Sequence, residues 1–205
     1  MSEALSEKVR SVAAAIGVVG ALPLVRAVSA DEMRLHSSDK ARPARALIRD
    51  GSEEMWVDEE QELDEETIIH ELTHHLLRTS RAAGLYPHQD SDVDGHGPLF
   101  TSLCWSLCGR FGAESDHESY DLGRHNKPRD RAANVSEEQW ARRWVARSHG
   151  GTAEDLTVRA IRDYRRWYGW QNRKARIAAE VPSLLRFIVA LALALFTPEI
   201  LSRLA

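Results

Sequence analysis

The 205-residue chain has only two cysteines, Cys104 and Cys108. Two cysteines provide no disulfide framework of the kind that stabilises small secreted domains, so the fold has to depend on a hydrophobic core. Their spacing of four residues on one predicted helix face favours two buried thiols over a disulfide. This cysteine usage predicts a reducing, cytoplasmic location.

The sequence also lacks an uninterrupted apolar segment long enough to cross a bilayer. Its longest apolar run, Phe187–Phe196, has ten residues, whereas a spanning helix needs about 20. Extension back to Val181 brings in a proline, a serine and an arginine. Three interpretations of residues 181–201 therefore remain open. The segment is a marginal tail anchor, a helix lying in the membrane interface, or a hydrophobic helix packed on this or another subunit.

The amino-terminal segment has an apolar middle followed by small residues, as a secretory signal does. Glu3, Glu7 and Arg26 argue against that interpretation, because they place charges in and around the would-be apolar stretch. Residues 4–16 instead carry apolar side chains at helical spacing, and residues 24–28 predict a short strand.

Charge is unevenly distributed along the chain. Hydrophobic residues make up 43% of the sequence and the net charge is −4, which suits one globular domain of about 100–150 residues with extensions. Residues 50–66 are acidic, whereas residues 141–176 are basic.

A helix predicted over residues 65–83 carries the pattern His-Glu-x-x-His as His70, Glu71 and His74. Side chains four residues apart lie on the same helix face, so both imidazoles can bind one metal ion. Glu71 is placed to take a proton from a water on that ion. The pattern therefore predicts a metal site with a general base.

His96 is the candidate third ligand. It lies in Gly95-His96-Gly97-Pro98, directly before a helix predicted over 97–110, with Phe100, Leu103 and Leu107 expected to be buried behind it. A catalytic zinc usually takes three protein ligands and leaves a fourth position for water.

The two blocks together, His-Glu-x-x-His and Gly-His-Gly-Pro-x-Phe, resemble the SprT-like metallopeptidases, which include the Spartan DNA–protein crosslink proteases. They are also similar to small metallohydrolases of actinobacteria and phages. The resemblance covers Ala44 to Phe111, and it implies that Zn²⁺ is bound by His70, His74 and His96, with Glu71 as the general base. The chain departs from the family in its longer segment between His74 and His96 and in lacking a cysteine-rich zinc ribbon.

A small sheet is expected beside the metal helix. Ala44–Arg49 and Glu54–Asp58 flank Asp50-Gly51-Ser52, which is a hairpin signal. The Glu54–Asp58 strand is a candidate edge strand for pairing with an extended substrate, and a purely structural hairpin is the alternative. The fold class that follows is α+β, with a zincin-like small sheet packed on the His-Glu-x-x-His helix and an appended C-terminal helical region.

The segment before His96 and the one after the core carry weaker candidates. Asp90–Gly95 matches the opening of a calcium loop, but its twelfth position is Thr101 instead of glutamate. Tyr86 and His88 are candidate hydrogen-bond donors to a reaction intermediate. His117 and His125 are spare metal ligands without ligand spacing around them.

The predicted domain organisation has three parts. Residues 1–111 form the metallopeptidase-like core, 112–135 a linker or wrapping segment, and 136–205 a basic, aromatic-rich helical region with a hydrophobic C-terminal helix. Within the last part, a capping box at Ser136 predicts one helix, and Thr152 predicts the start of a longer one.

Arginines, lysines and aromatic residues alternate in residues 141–176. Ten cationic residues stand against three acids, and five aromatic rings are interleaved: Trp144, Tyr164, Trp167, Tyr168 and Trp170. This composition suits a DNA contact, an anionic membrane surface, or a helical pair whose rings pack on the core while its arginines are solvated.

We therefore expect a zinc-dependent hydrolase, specifically a metalloprotease that cleaves protein or peptide substrates through a zinc-bound water. The alternative is a non-catalytic binding module, stapled by zinc and tethered to a membrane, nucleic acid or partner by its C-terminal region. A non-peptide substrate such as another amide is the third possibility. The expected location is the cytoplasm, with membrane association through residues 181–201 as the open alternative.

Overall fold

A computed structural model describes residues 2–35, 44–49, 52–82, 96–113 and 131–204. The described residues form an α+β fold of six helices and three short strands. In chain order the elements are α1 (Ser2–Ile16), β1 (Leu24–Val28), α2 (Ala30–Leu35), β2 (Ala44–Arg49), β3 (Ser52–Asp58), α3 (Glu65–Ala82), α4 (Pro98–Phe111), α5 (Arg131–Val145) and α6 (Ala153–Leu204).

The three strands form one mixed sheet in the order β1-β3-β2. β2 pairs with β3 antiparallel, as the hairpin signal predicts, and β1 pairs with β3 parallel. The expectation that Glu54–Asp58 is an edge strand is wrong. β3 is the central strand, and its backbone groups are already paired with Leu24–Val28 on one side and with Ala44–Arg49 on the other. Among the strands that the structure describes, β1 and β2 are the edges of the sheet.

Helices cover the sheet and enclose the core. α1 contacts β1, α3 contacts β2, and α4 packs on both α1 and α3. The stripe predicted on α1 points inward, with Val9, Val12 and Ile16 buried. The short helix α2, which the sequence pattern does not predict, packs on β3, where Val28, Met33 and Trp56 form a buried cluster.

A junction of backbone carbonyls joins the ends of α1 and α4 to the start of α6. The guanidinium of Arg110 donates to the carbonyl oxygens of Ile16 (3.3 Å), Gly151 (3.0 Å) and Gly150 (2.8 Å). Glu154 in turn accepts the backbone N–H groups of Val19 and Gly20, at 3.0 and 2.8 Å. Desolvation, together with the nearby Arg159 charge, lowers the pKa of Arg110. These contacts fix the ends of the helices that carry the core.

The carboxyl-terminal half differs from expectation in two places. α5 begins at Arg131, five residues before the capping box at Ser136, so residues 131–135 of the expected linker are helical. α6 continues unbroken from Ala153 to Leu204.

By its internal packing the chain divides into two compact units, Met1–Ile161 and Arg162–Ala205. Among the described helices, none is both long and apolar enough to cross a membrane.

Candidate metal centre

α3 positions two of the three candidate ligands. Its first turn is capped by Asp64, whose carboxylate accepts the backbone N–H of Thr67 at 2.6 Å. Glu65 and Glu66 follow in that turn, where the helix dipole favours acids. The helix is held against the core by a buried apolar set comprising Ile68, Ile69, Leu72, Leu76 and Leu77. This burial fixes the rotation of α3 and therefore the side on which His70 and His74 project.

α4 positions the third candidate ligand at its amino-terminal end. Gly97 is the N-cap residue in an extended conformation, and Pro98 occupies the first turn, where its missing N–H leaves no donor unpaired. The carbonyl oxygen of His96 accepts the hydroxyl of Thr101 at 3.2 Å. Phe100, Leu103 and Leu107 are fully buried behind it, as the sequence predicts.

The structure brings His70, His74 and His96 together. One ring nitrogen from each lies within 4.8 Å of the others, and the Nε2 atoms of His70 and His96 are 3.1 Å apart. The ring centroids are separated by 5.1 Å (70 to 74), 4.8 Å (70 to 96) and 5.5 Å (74 to 96). Residues 26 positions apart in sequence thus converge on one point.

The donor set fits a divalent metal ion. Three imidazoles supply neutral nitrogen ligands, which suit zinc, copper, iron and nickel. Two nitrogens bound to one tetrahedral zinc, at about 2.0–2.1 Å each, lie roughly 3.3–3.4 Å from one another. The 3.1 Å between His70 and His96 is close to that separation. Among the described residues, no aspartate, glutamate, cysteine or further histidine joins the group.

The ring of Phe100 packs against all three imidazoles. Its centroid lies 4.9 Å from His70, 4.3 Å from His74 and 4.9 Å from His96. A fully buried ring in that position excludes water from one side of the cluster and restricts the rotamers of the three histidines. The side chains of His70 and His96 are only half-buried, so the cluster is not closed off from solvent.

Glu71 is the buried carboxylate at this site, with 4% of its surface exposed. It follows His70 directly on α3. The site therefore has three nitrogen donors, and a buried carboxylate follows one of them in sequence.

His75, next to the candidate ligand His74, makes two long-range contacts that the sequence pattern does not predict. One ring nitrogen contacts the carbonyl oxygen of Ala21 at 2.7 Å, and the other contacts the carboxylate of Glu53. These contacts occupy both ring nitrogens, so His75 is not placed to act as a fourth metal ligand. Both partners are more than 20 residues away, so no local pattern in the sequence identifies them.

Cys104 and Cys108 are both free and buried on α4, as predicted. The pKa of the Cys108 thiol is raised strongly, first by its hydrogen bond with Cys104 and then by burial. A buried thiol that stays neutral is a poor nucleophile at neutral pH. These residues belong to the packing of the helix that carries His96.

The remaining candidates lie outside the described residues. They are the calcium-like Asp90–Gly95 segment, Tyr86, His88, His117 and His125. Of the five interleaved rings, Trp144 and Tyr164 are buried, at 7% and 5% exposure. Those two rings are therefore not available for stacking on a partner.

No family model, curated protein or solved structure matches the chain.

Proposed function

We propose that the protein is a zinc-dependent hydrolase whose substrate is a peptide bond. The observation that carries this proposal is the convergence of His70, His74 and His96 within 4.8 Å beside the buried Glu71. The resemblance of the two sequence blocks to SprT-like metallopeptidases supports the same reaction, and the α+β architecture with α3 against a small sheet is compatible with a zincin-like fold.

The three histidines would hold the metal through neutral nitrogens. A zinc ion bound there would lower the pKa of a coordinated water toward about 7 and polarise a substrate carbonyl. Glu71 accepts one proton from the attacking water and later delivers it to the departing amine, so that no net proton is gained or lost by the protein. Phe100 keeps the rings in place and limits water on its side of the cluster.

The first prediction concerns Glu71. Glu71→Gln keeps the size of the side chain but removes its ability to accept a proton, so we expect hydrolysis of an unfolded protein substrate to fall by about 10²–10⁴-fold. Zinc content, measured by atomic emission on the purified protein, should stay at one ion per chain. His96→Ala should instead lose the ion and the activity together.

Two results would contradict the proposal. Activity that survives Glu71→Gln with zinc in place would remove the assigned general base. A wild-type protein that binds one zinc but cleaves neither free nor DNA-bound protein would favour the alternative of a zinc-stapled binding module. Glu66→Gln is the matched control, because Glu66 lies on the same helix one turn earlier and is not part of the histidine cluster.

A further inference from the structure

Residues 162–182, the part of the second unit whose side chains the structure describes, have an excess of positive charge on an exposed helix. Six cationic residues stand against Asp163 and Glu180: Arg162, Arg165, Arg166, Arg173, Lys174 and Arg176. The two acids each contact one arginine, Arg162 at 3.4 Å and Arg176 at 3.1 Å. Arg165, Arg166, Arg173 and Lys174 remain as uncompensated charge.

An apolar stripe runs beside these charges. Trp170, Ile177 and Val181 are 50%, 60% and 52% exposed. At about 100° per residue they lie within roughly 40° of one another on the helix. The ammonium nitrogen of Lys174 lies 3.4 Å over the ring of Trp170, which places a cation within the stripe.

The sequence continues this stripe toward the carboxyl terminus of α6. Leu184, Ile188, Leu191 and Leu195 follow Ile177 and Val181 at alternating steps of three and four residues. The last three fall in the apolar run Phe187–Phe196, which is helical throughout. One continuous helix thus passes from a basic, tryptophan-bearing segment into an apolar segment.

We propose that residues 162–196 form a docking helix for the surface of an anionic phospholipid bilayer. The excess cations complement the negative charge of the lipid headgroups. Trp170, Ile177 and Val181 insert at the boundary between headgroups and acyl chains, as in interfacial amphipathic helices. This surface shares no residue with the histidine cluster, and the proposal does not depend on the proposed hydrolase activity.

Two other partners fit the same surface less well. A nucleic acid complements the cations and stacks on tryptophan, but exposed isoleucine and valine gain nothing from a phosphate backbone. A second copy of the chain would bring the same uncompensated cations to the interface, where like charges repel. Of these three partners, only a lipid surface provides both the negative charge and the apolar environment.

Vesicle flotation of the full-length protein tests the proposal. We expect binding to phosphatidylcholine vesicles that contain about 30% phosphatidylserine, and at least tenfold weaker binding to phosphatidylcholine alone. Arg173→Gln with Lys174→Gln should weaken binding to anionic vesicles by about 25-fold, or roughly fivefold for each charge. Ile177→Ser with Val181→Ser should weaken it by at least about tenfold.

Each pair has a matched control in the first unit. Arg143→Gln with Arg147→Gln removes the same charge from exposed positions, and Val19→Ser with Leu24→Ser removes comparable exposed apolar surface. Both controls should bind vesicles as the wild type does. Glu71→Gln should also bind normally, which separates this result from any failure of the hydrolase proposal.

Four outcomes would overturn the proposal. The first two are equal binding to neutral and anionic vesicles, and equal losses of binding in the test and control pairs. The third is binding of a single-stranded oligonucleotide by a protein that does not bind vesicles. The fourth is self-association, without vesicle binding, that Ile177→Ser with Val181→Ser abolishes. Fluorescence anisotropy measures the binding of the oligonucleotide, and sedimentation equilibrium measures self-association.

Discussion

At the scale of single residues, His75 adds two long-range contacts to the apolar burial that fixes the rotation of α3. Its side chain is 8% exposed, and it joins α3 to the start of β3 through Glu53 and to the segment before β1 through Ala21. Because the Ala21 carbonyl can only accept, Nε2 of His75 donates to it. The neighbouring residue is His74, so a shift of this anchor moves a candidate metal ligand.

We predict that His75→Leu lowers the free energy of unfolding by about 2–3 kcal/mol, because it removes two partly buried hydrogen bonds, one of them to a charged group. Urea denaturation of the metal-free protein measures this loss, and isothermal titration with zinc should also show weaker binding. His149→Leu makes the same change at an exposed ring and should alter stability by less than about 0.5 kcal/mol. Equal losses in the two variants would mean that the His75 contacts contribute nothing.

At the scale of elements, two similar capping patterns have different outcomes. Thr152 and Asp155 cap α6 reciprocally: the Asp155 N–H donates to the threonine hydroxyl at 3.0 Å, and the Thr152 N–H donates to the Asp155 carboxylate at 3.1 Å. Ser136 has the same kind of pattern but lies inside α5. Ala132 and Ala133, which favour helix strongly, extend that helix upstream. Gly150 and Gly151, both at positive φ, prevent such an extension before Thr152.

The Thr152–Asp155 cap predicts a pH dependence. The hydrogen bond from the Thr152 backbone, followed by that involving its side chain, lowers the pKa of Asp155. A lowered folded-state pKa adds stability above the ordinary aspartate value of about 3.9, and this stability is lost as the pH falls through the folded-state value. The melting temperature of metal-free Asp155→Asn should therefore be below that of the wild type at neutral pH, and the two should converge in acid.

Thr152→Ala serves as the comparison for this experiment. It keeps the backbone donor but removes the hydroxyl, and an N-cap threonine contributes about 1 kcal/mol. In that background the Asp155→Asn difference at neutral pH should be smaller but still present. A difference that widens on acidification would show that the carboxylate does not stabilise the helix.

At the scale of the whole molecule, local periodicity predicts the elements and the ligands but not their partners. The stripe on α1, the hairpin of β2 and β3, and the limits of α3 and α4 all follow from spacing within a few residues. The convergence of His96 with His70 and His74 also follows, because the usual role of a His-Glu-x-x-His helix and a further histidine at a helix start is to bind one metal ion together. The central position of β3 does not follow, because it depends on β1 pairing in parallel across 30 residues. The same holds for the contacts of Arg110, Glu154 and His75, whose partners are distant in sequence.

The division of the chain leads to the last prediction. All three imidazoles lie in Met1–Ile161, so a chain that ends at Val181 should bind zinc as the full-length protein does. Ligand binding to the folded state alone adds RT ln(1 + [L]/Kd), which is about 4 kcal/mol at a thousandfold excess over Kd. Scanning calorimetry should show the same zinc-induced rise in melting temperature for both chains and for Glu71→Gln, and almost none for His96→Ala. A truncated chain that unfolds independently of zinc, while the full chain responds, would mean that residues 182–205 help to form the site.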